Sequence, residues 1–193
     1  MSAMRSKGRP ETVALATLMS MDWWTVVLIA VGVATALAIL AAALQREALA
    51  LPIIAVPLGI LALRAFGELP PAAPWVVALF TIGLVALATA GGGPLVAFMF
   101  EVITYQERKR GKKSKAEPEM LRGGATIGYL ERFGLIGAVL IGQPAAVAII
   151  VAVKGLGRFT ELDSAAARER FIVGTLGSLI WAATCATALR GAW

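Results

Sequence analysis

Residues 133–153, FGLIGAVLIGQPAAVAIIVAV, run for 21 positions without a charged side chain. A helix rises about 1.5 Å per residue, so roughly 20 apolar residues cross a hydrocarbon core about 30 Å thick. Residues 23–44, WWTVVLIAVGVATALAILAAAL, form a second charge-free run, of 22 positions. Trp23 and Trp24 stand at one end of it, where indoles favour the membrane–water interface. Such runs make this an integral membrane protein, with lipid as its main solvent.

Composition agrees. Hydrophobic residues are 59% of the 193-residue chain and charged residues 16%, against about 25% charged in a soluble domain. The longest polar stretch, about 106–122, is too short to bury a core of its own. One membrane domain over 1–193 is the expectation. Its class is all-α, a polytopic transmembrane helical bundle. The first long apolar run is long enough to span and stay, so no cleavable leader is expected. Met19 and Met21 precede that run closely, so translation starting there, with 1–18 an artefact, stays open.

The excess of 18 Lys+Arg over 12 Asp+Glu is largely local. Arg108, Lys109, Arg110, Lys112, Lys113, Lys115 and Arg122 fall in one segment. Such a cluster keeps a loop in the cytoplasm or attracts anionic headgroups. No aromatic residues interleave with it, which argues against nucleic acid. The single cysteine, Cys185, cannot form an intramolecular disulfide. The chain has no histidine, which removes the commonest metal ligand and general base. No metal, no cofactor and no catalytic residue is assigned.

Helices are expected at about 23–44, 48–66, 75–90, 94–106, 124–153 and 171–190. The second carries Pro52 and Pro57, which bend it. The uncharged block 69–100 contains Gly91-Gly92-Gly93-Pro94, and a turn there splits it in two. Positive charge favours this six-helix reading, with both termini and the loop 106–122 in the cytoplasm: 13 of the 18 cations then lie inside. The five-helix alternative, without the turn, places 10 inside.

Few polar residues sit in the apolar runs. Gln143 is expected near a helix centre, where an amide needs an interhelical partner or a wet cavity. Pro144 beside it frees a carbonyl. Glu101, Glu131 and Arg132 are expected near the cytoplasmic side, where a Glu101–Arg132 or Glu131–Arg pair is preferred over a proton relay. Lys154, Arg158 and Glu161 share a helical face at i, i+4, i+7 spacing, and the two cations could hold a lipid phosphate or another anion. Small residues recur four apart at Gly124 and Gly128, Ala138 and Gly142, Gly142 and Ala146, and Gly174 and Ser178, a spacing that lets helices approach closely. Gly91–Gly93 is no phosphate loop, since no Lys-Ser or Lys-Thr follows.

From Gly124 to about Cys185 the chain resembles the C-terminal part of a bacterial family of integral membrane proteins of unknown function. The resemblance rests on Ile127-Gly128-Tyr129-Leu130-Glu131-Arg132, Gly142-Gln143, Ala152-Val153-Lys154 with Arg158-Phe159, Glu161-Leu162, and Phe171-Ile172-Val173-Gly174-Thr175-Leu176. It covers about a third of the chain. It implies one site comprising Glu131, Arg132, Gln143, Lys154 and Arg158, and a bacterial inner membrane; it implies no activity. The histidine-containing helices of that family's N-terminal part have no counterpart here.

The functional expectation is a small membrane protein without covalent chemistry. It would be an accessory subunit or small transporter-like unit, in a homo-oligomer or with a protein partner in the lipid bilayer. The alternative is a membrane enzyme or carrier for an anionic lipid or prenyl phosphate, with Glu131 or Glu101 as base and Lys154 and Arg158 on the phosphate.

Overall fold

The computed structural model describes residues 10–46, 49–67, 70–109, 124–143, 145–159 and 165–190, and every regular element among them is helical. Among these residues six helices follow in order: α1 Pro10–Leu44, α2 Ala50–Phe66, α3 Pro74–Lys109, α4 Gly124–Leu140, α5 Ala145–Phe159 and α6 Ala165–Leu189. Three are long and apolar enough to cross a membrane, over Trp23–Leu44, Pro74–Gln106 and Ala167–Leu189. The all-helical membrane class is as expected.

The core is a seam of small residues. On α1 the buried positions are Trp24, Val27, Val31, Ala34, Ala38 and Ala41, alternating steps of three and four. This is the 3.5-residue period of left-handed helix packing. The large side chains Val26, Ile29, Val33 and Ile39 face outward. With lipid outside there is no polar face to mark the seam, so size marks it instead, because small residues let backbones approach. On α3 the matching stripe is Val76, Phe80, Leu84, Leu87 and Ala88, all buried. A Cβ on Gly83 would lie 2.7 Å from Val31 Cγ1, so the Val31 side chain of α1 packs directly on the α3 backbone there.

Contacts fix the helix directions. Trp24 packs edge-on against Phe80, with ring centroids 5.5 Å apart, and Val31 meets Gly83, so α1 runs parallel to α3. Trp181 meets Gly91 while Gly177 and Gly174 meet Met99 and Phe100, so α6 runs antiparallel to α3. Ile53 also meets Gly91, and Arg64 reaches Thr187, so α2 runs with α6.

The helix ends follow local chemistry. Pro74 opens α3 at its first position, where a missing N–H is harmless. Gln45 ends α1 with φ 50°, and Arg46 N–H donates to Ala41 C=O at 3.1 Å. Arg64 donates to the Thr187 carbonyl at 3.1 Å, meeting one of the orphan acceptors at the end of α6. Within the bundle Thr35, Thr81, Thr89, Thr184 and Thr187 each return their hydroxyl to the carbonyl four residues earlier, which hides it from lipid.

An expected break and an expected continuous helix exchange places. The block 75–90 and 94–106 is one helix, α3, continuous through Gly91–Gly93, with Pro94 inside it. The run 124–153 is two helices, α4 and α5. They part at Gly142, whose φ of 73° suits glycine. Gln143 N–H donates to Ala138 C=O at 2.8 Å and Gly142 N–H to Val139 C=O at 3.1 Å, the paired bonds that close a helix on a left-handed residue. Pro144 follows and prevents continuation. The described residues hold six helices on a different division, three of them long and apolar enough to cross a membrane. The charge arithmetic that grouped both termini with the basic loop assumed a turn at the glycines, and α3 has none. The loop 110–122 lies outside the described residues, while 106–109 complete α3.

Replacing Ala38 by Leu should overfill the α1–α3 seam and lower stability by roughly 1–3 kcal/mol. Val33→Ala, on the outward face, should change it little. Thermal unfolding in detergent checks both.

Candidate functional site: a charged helical hairpin

The triple glycine of α3 is a socket. A Cβ on Gly92 would lie 2.5 Å from Arg132 Cδ and 2.7 Å from its Nε. A Cβ on Gly91 would lie 2.8 Å from Trp181 Cζ2. Two large side chains from two other helices therefore need two adjacent positions of α3 to lack side chains. Both side chains then bond to the α3 backbone. Arg132 Nε donates to the Thr89 carbonyl at 2.8 Å, and Trp181 Nε1 to the Ala88 carbonyl at 3.0 Å. Pro94, one turn on, has no N–H for the Ala90 carbonyl, so the helix is already loosened beside these acceptors.

Arg132 is 4% exposed. Its NH1 donates to Ser178 Oγ on α6 at 3.0 Å, and its guanidinium carbon lies 5.2 Å from the Tyr129 ring centroid. Gly128, one turn back on α4, leaves room for NH1. One guanidinium thus joins α3, α4 and α6. A planar fork with fixed donors suits this task and an ammonium does not.

Glu131, the preceding residue, points elsewhere. Its Oε2 accepts a hydrogen bond from Lys154 Nζ on α5 at 2.5 Å. Glu131 is 8% exposed at its side chain and Lys154 18%. The Lys154 ammonium also lies over the Phe171 ring of α6, 5.7 Å from its centroid. The other carboxylate oxygen, Oε1, is buried and has no hydrogen-bond partner. Gly134 meets Ile150, so α4 and α5 lie side by side as an antiparallel hairpin.

The structure brings together Glu131, Arg132 and Lys154. It separates the rest. Gln143 is exposed in the α4–α5 turn and does not sit at a helix centre, because the helix ends before it. Glu101 is exposed on α3 and does not pair with Arg132. The Glu131 partner is Lys154, not an arginine. The backbone of Arg158 belongs to α5, but its side chain and all of Glu161 lie outside the described residues. Of the small pairs, Gly174 and Ser178 do meet α3 and Arg132.

Sequence reasoning missed Thr89, Trp181, Phe171 and the socket role of Gly92. Trp181 carried a signal: an indole N–H within an apolar helix must find an acceptor. No three His, Cys, Asp or Glu residues converge among the described residues. Glu131 and Lys154 hold one another, so a mechanism using one as base and the other on a phosphate first has to part them. No family model, curated protein or solved structure matches the chain.

Lys154→Met should destabilise by roughly 3–5 kcal/mol, because it strands a buried carboxylate. The double variant Glu131→Gln with Lys154→Met should recover most of that loss, and the pair of melting curves checks it. Gly92→Ala should also destabilise, by about 1–3 kcal/mol, by pushing on Arg132.

Proposed function

We propose that this protein is a small polytopic protein of a bacterial inner membrane that works without covalent chemistry, as a transporter-like unit whose working part is the α4–α5 hairpin. One observation carries this reading: an ion pair with a spare acceptor oxygen sits on a two-helix hairpin beside an otherwise apolar bundle. Ionisable residues at membrane depth are costly and mark pathways for ions and solutes. Arg132 and Trp181 are fully engaged in holding helices together. Glu131 and Lys154 join α4 to α5, with the Lys154 ammonium also over Phe171 of α6, and so can exchange partners without dissolving the packing of α1, α3 and α6.

Orientation follows from helix direction and charge. One end of the bundle has the α1–α2 turn, the C-terminal end of α3, and the N-terminal ends of α4 and α6. Arg46, Lys154, Arg158, Arg168 and Arg170 belong to it, and the segment that follows α3 in sequence adds the seven cations of 108–122, which is twelve. Arg64 and Arg190 belong to the opposite end, and the sequence before α1 adds Arg5, Lys7 and Arg9, which is five. The positive-inside bias puts the first end in the cytoplasm and both termini outside.

A second reading, an accessory subunit, is favoured by the outer face of α5. Ile149, Val153 and Leu156 there are 66%, 66% and 78% exposed, open to a protein partner as to lipid.

Cysteines introduced at Ser114 and near Trp193, with Cys185 replaced, test the orientation in intact cells. An impermeant thiol reagent should label the terminal site and spare Ser114; the reverse pattern overturns the assignment. Liposomes holding the purified protein and a trapped pH-sensitive dye test the transport reading. An imposed pH gradient should collapse faster than in protein-free liposomes. An unchanged gradient, with a second protein retained in native mass spectrometry, would replace transport with the accessory role. A retained prenyl phosphate would replace it with the lipid-carrier alternative.

A further inference from the structure

A buried carboxylate oxygen without a donor is rare, because such a group gives up hydration and gains nothing in return. Glu131 Oε1 is one of two buried side-chain polar atoms among the described residues with no partner; the other is Trp23 Nε1. The groups around the carboxylate explain what it can bind. Lys154 on α5 occupies the other oxygen. Arg132, the neighbour on α4, directs its fork away, to Thr89 and Ser178. On α6 the Phe171 ring lies under the Lys154 ammonium, and Arg168, Glu169 and Arg170 come just before it in sequence. On α3, Glu101 is exposed and Thr89 and Gly92 serve Arg132. Among the described residues no set of carboxylates gathers near enough for a metal ion.

We propose that Glu131 Oε1 is a proton-binding site, and that proton binding there unlatches α5 from α4. This goes beyond the transport reading and holds equally for an accessory subunit. The step is balanced simply. A proton from water on the Lys154 side adds to Oε1, and the carboxylate becomes a neutral acid. Lys154 keeps its own proton and loses its counter-charge. The site gains one positive charge. Lys154 is the more exposed member of the pair, 18% against 8%. It is therefore the one that leaves, snorkelling toward headgroups along its four-carbon stem.

The mechanics suit a latch. Packing of α5 is chiefly on α4, and its contact with α6 runs through the Lys154 ammonium over Phe171. The Lys154 ammonium thus takes part in both ties, beside the apolar contact of Ile150 with Gly134 and the packing of Val147 on the core. At the far end α5 is joined to α4 through Gly142, a glycine in the left-handed conformation. Arg132 fixes the middle of α4 to the bundle and the hairpin is hinged at Gly142, so α5 is the leg free to move.

Spin labels at Leu156→Cys on α5 and Ile172→Cys on α6, with Cys185→Ser, test this by electron–electron distance measurement in nanodiscs. Leu156 and Ile172 are both well exposed, so labels fit without repacking. The label distance should lengthen on acidification in one titration. Glu131→Gln mimics the protonated acid and should show the long distance at every pH. The double variant Glu131→Gln with Lys154→Gln strands no charge and should do the same, which keeps the test valid if the single variant does not fold. Cysteine at Ile150, within the hairpin interface, should react with a small maleimide about tenfold faster in the Glu131→Gln background at fixed pH, equivalent to a latch of roughly 1.4 kcal/mol. A distance that ignores pH, or variants that keep the short distance and the slow labelling, would overturn the latch. Flux through liposomes enters none of these readouts, so failure of the transport reading leaves the latch standing or falling by itself.

Discussion

The guanidinium of Arg132 decides how this bundle is assembled. In water it would prefer solvent; in lipid it must find acceptors inside the protein. It finds the Thr89 carbonyl and the Ser178 hydroxyl, with the Tyr129 ring against its face. Those acceptors belong to α3 and α6, and its own backbone to α4. Gly92 exists to let it in. Trp181 repeats the arrangement one position away, with Gly91 as its recess and the Ala88 carbonyl as its acceptor. Lipid supplies no hydrophobic force between apolar helices, so close packing and such bonds set which helix meets which.

That constraint divides the polar residues into two kinds. Arg132, Ser178 and Trp181 fill geometry that has no slack, and exchanging them would take the helices apart. Glu131 and Lys154 satisfy each other across a single hairpin, and one oxygen remains over. Adjacent residues on α4 thus serve opposite ends, one fastening the hairpin to the bundle, the other governing the hairpin's own closure. A helix turns about 100° per residue, so neighbours in sequence address different partners.

The class and most helix positions were legible in the chain. Charge-free runs give the apolar spans of α1 and α6, although α1 itself begins at Pro10 and α6 at Ala165, ahead of the expected starts. The interior breaks were not legible. Gly-Gly-Gly-Pro at 91–94 reads as a stop and is not one, while Gly-Gln-Pro at 142–144 reads as the middle of a helix and is where one ends. At 91–94 the helix continues because Arg132 and Trp181, from other helices, occupy the space the glycines leave. At 142–144 it ends because Gly142 adopts a left-handed conformation and two backbone bonds close behind it. The difference lies in tertiary partners 43 and 93 residues distant in sequence, which no local window contains. Of the candidate site, Glu131, Arg132 and Lys154 were legible as charges in apolar helices. Their pairing was not, because the expected partner of Glu131 was an arginine and the break before Gln143 was placed elsewhere. Folding the run back at Gly142 is what brings Lys154 beside Glu131.

The socket also dictates an order of construction. Glu131 and Arg132 stand in the middle of α4, and a charge at a helix centre disfavours insertion by about 2.5–3.5 kcal/mol each on biological scales. A 17-residue helix bearing both is a poor candidate to enter lipid alone. With α5 folded back, Lys154 neutralises one charge; with Gly92 and Thr89 already in place, α3 receives the other. Since α3 leaves the ribosome first, the hairpin meets Gly92 and Thr89 already made, and Ser178 of α6 closes the site afterwards. The three glycines and the proline that resemble a break in the chain are, for a nascent protein, the berth at which its most polar helix comes to rest.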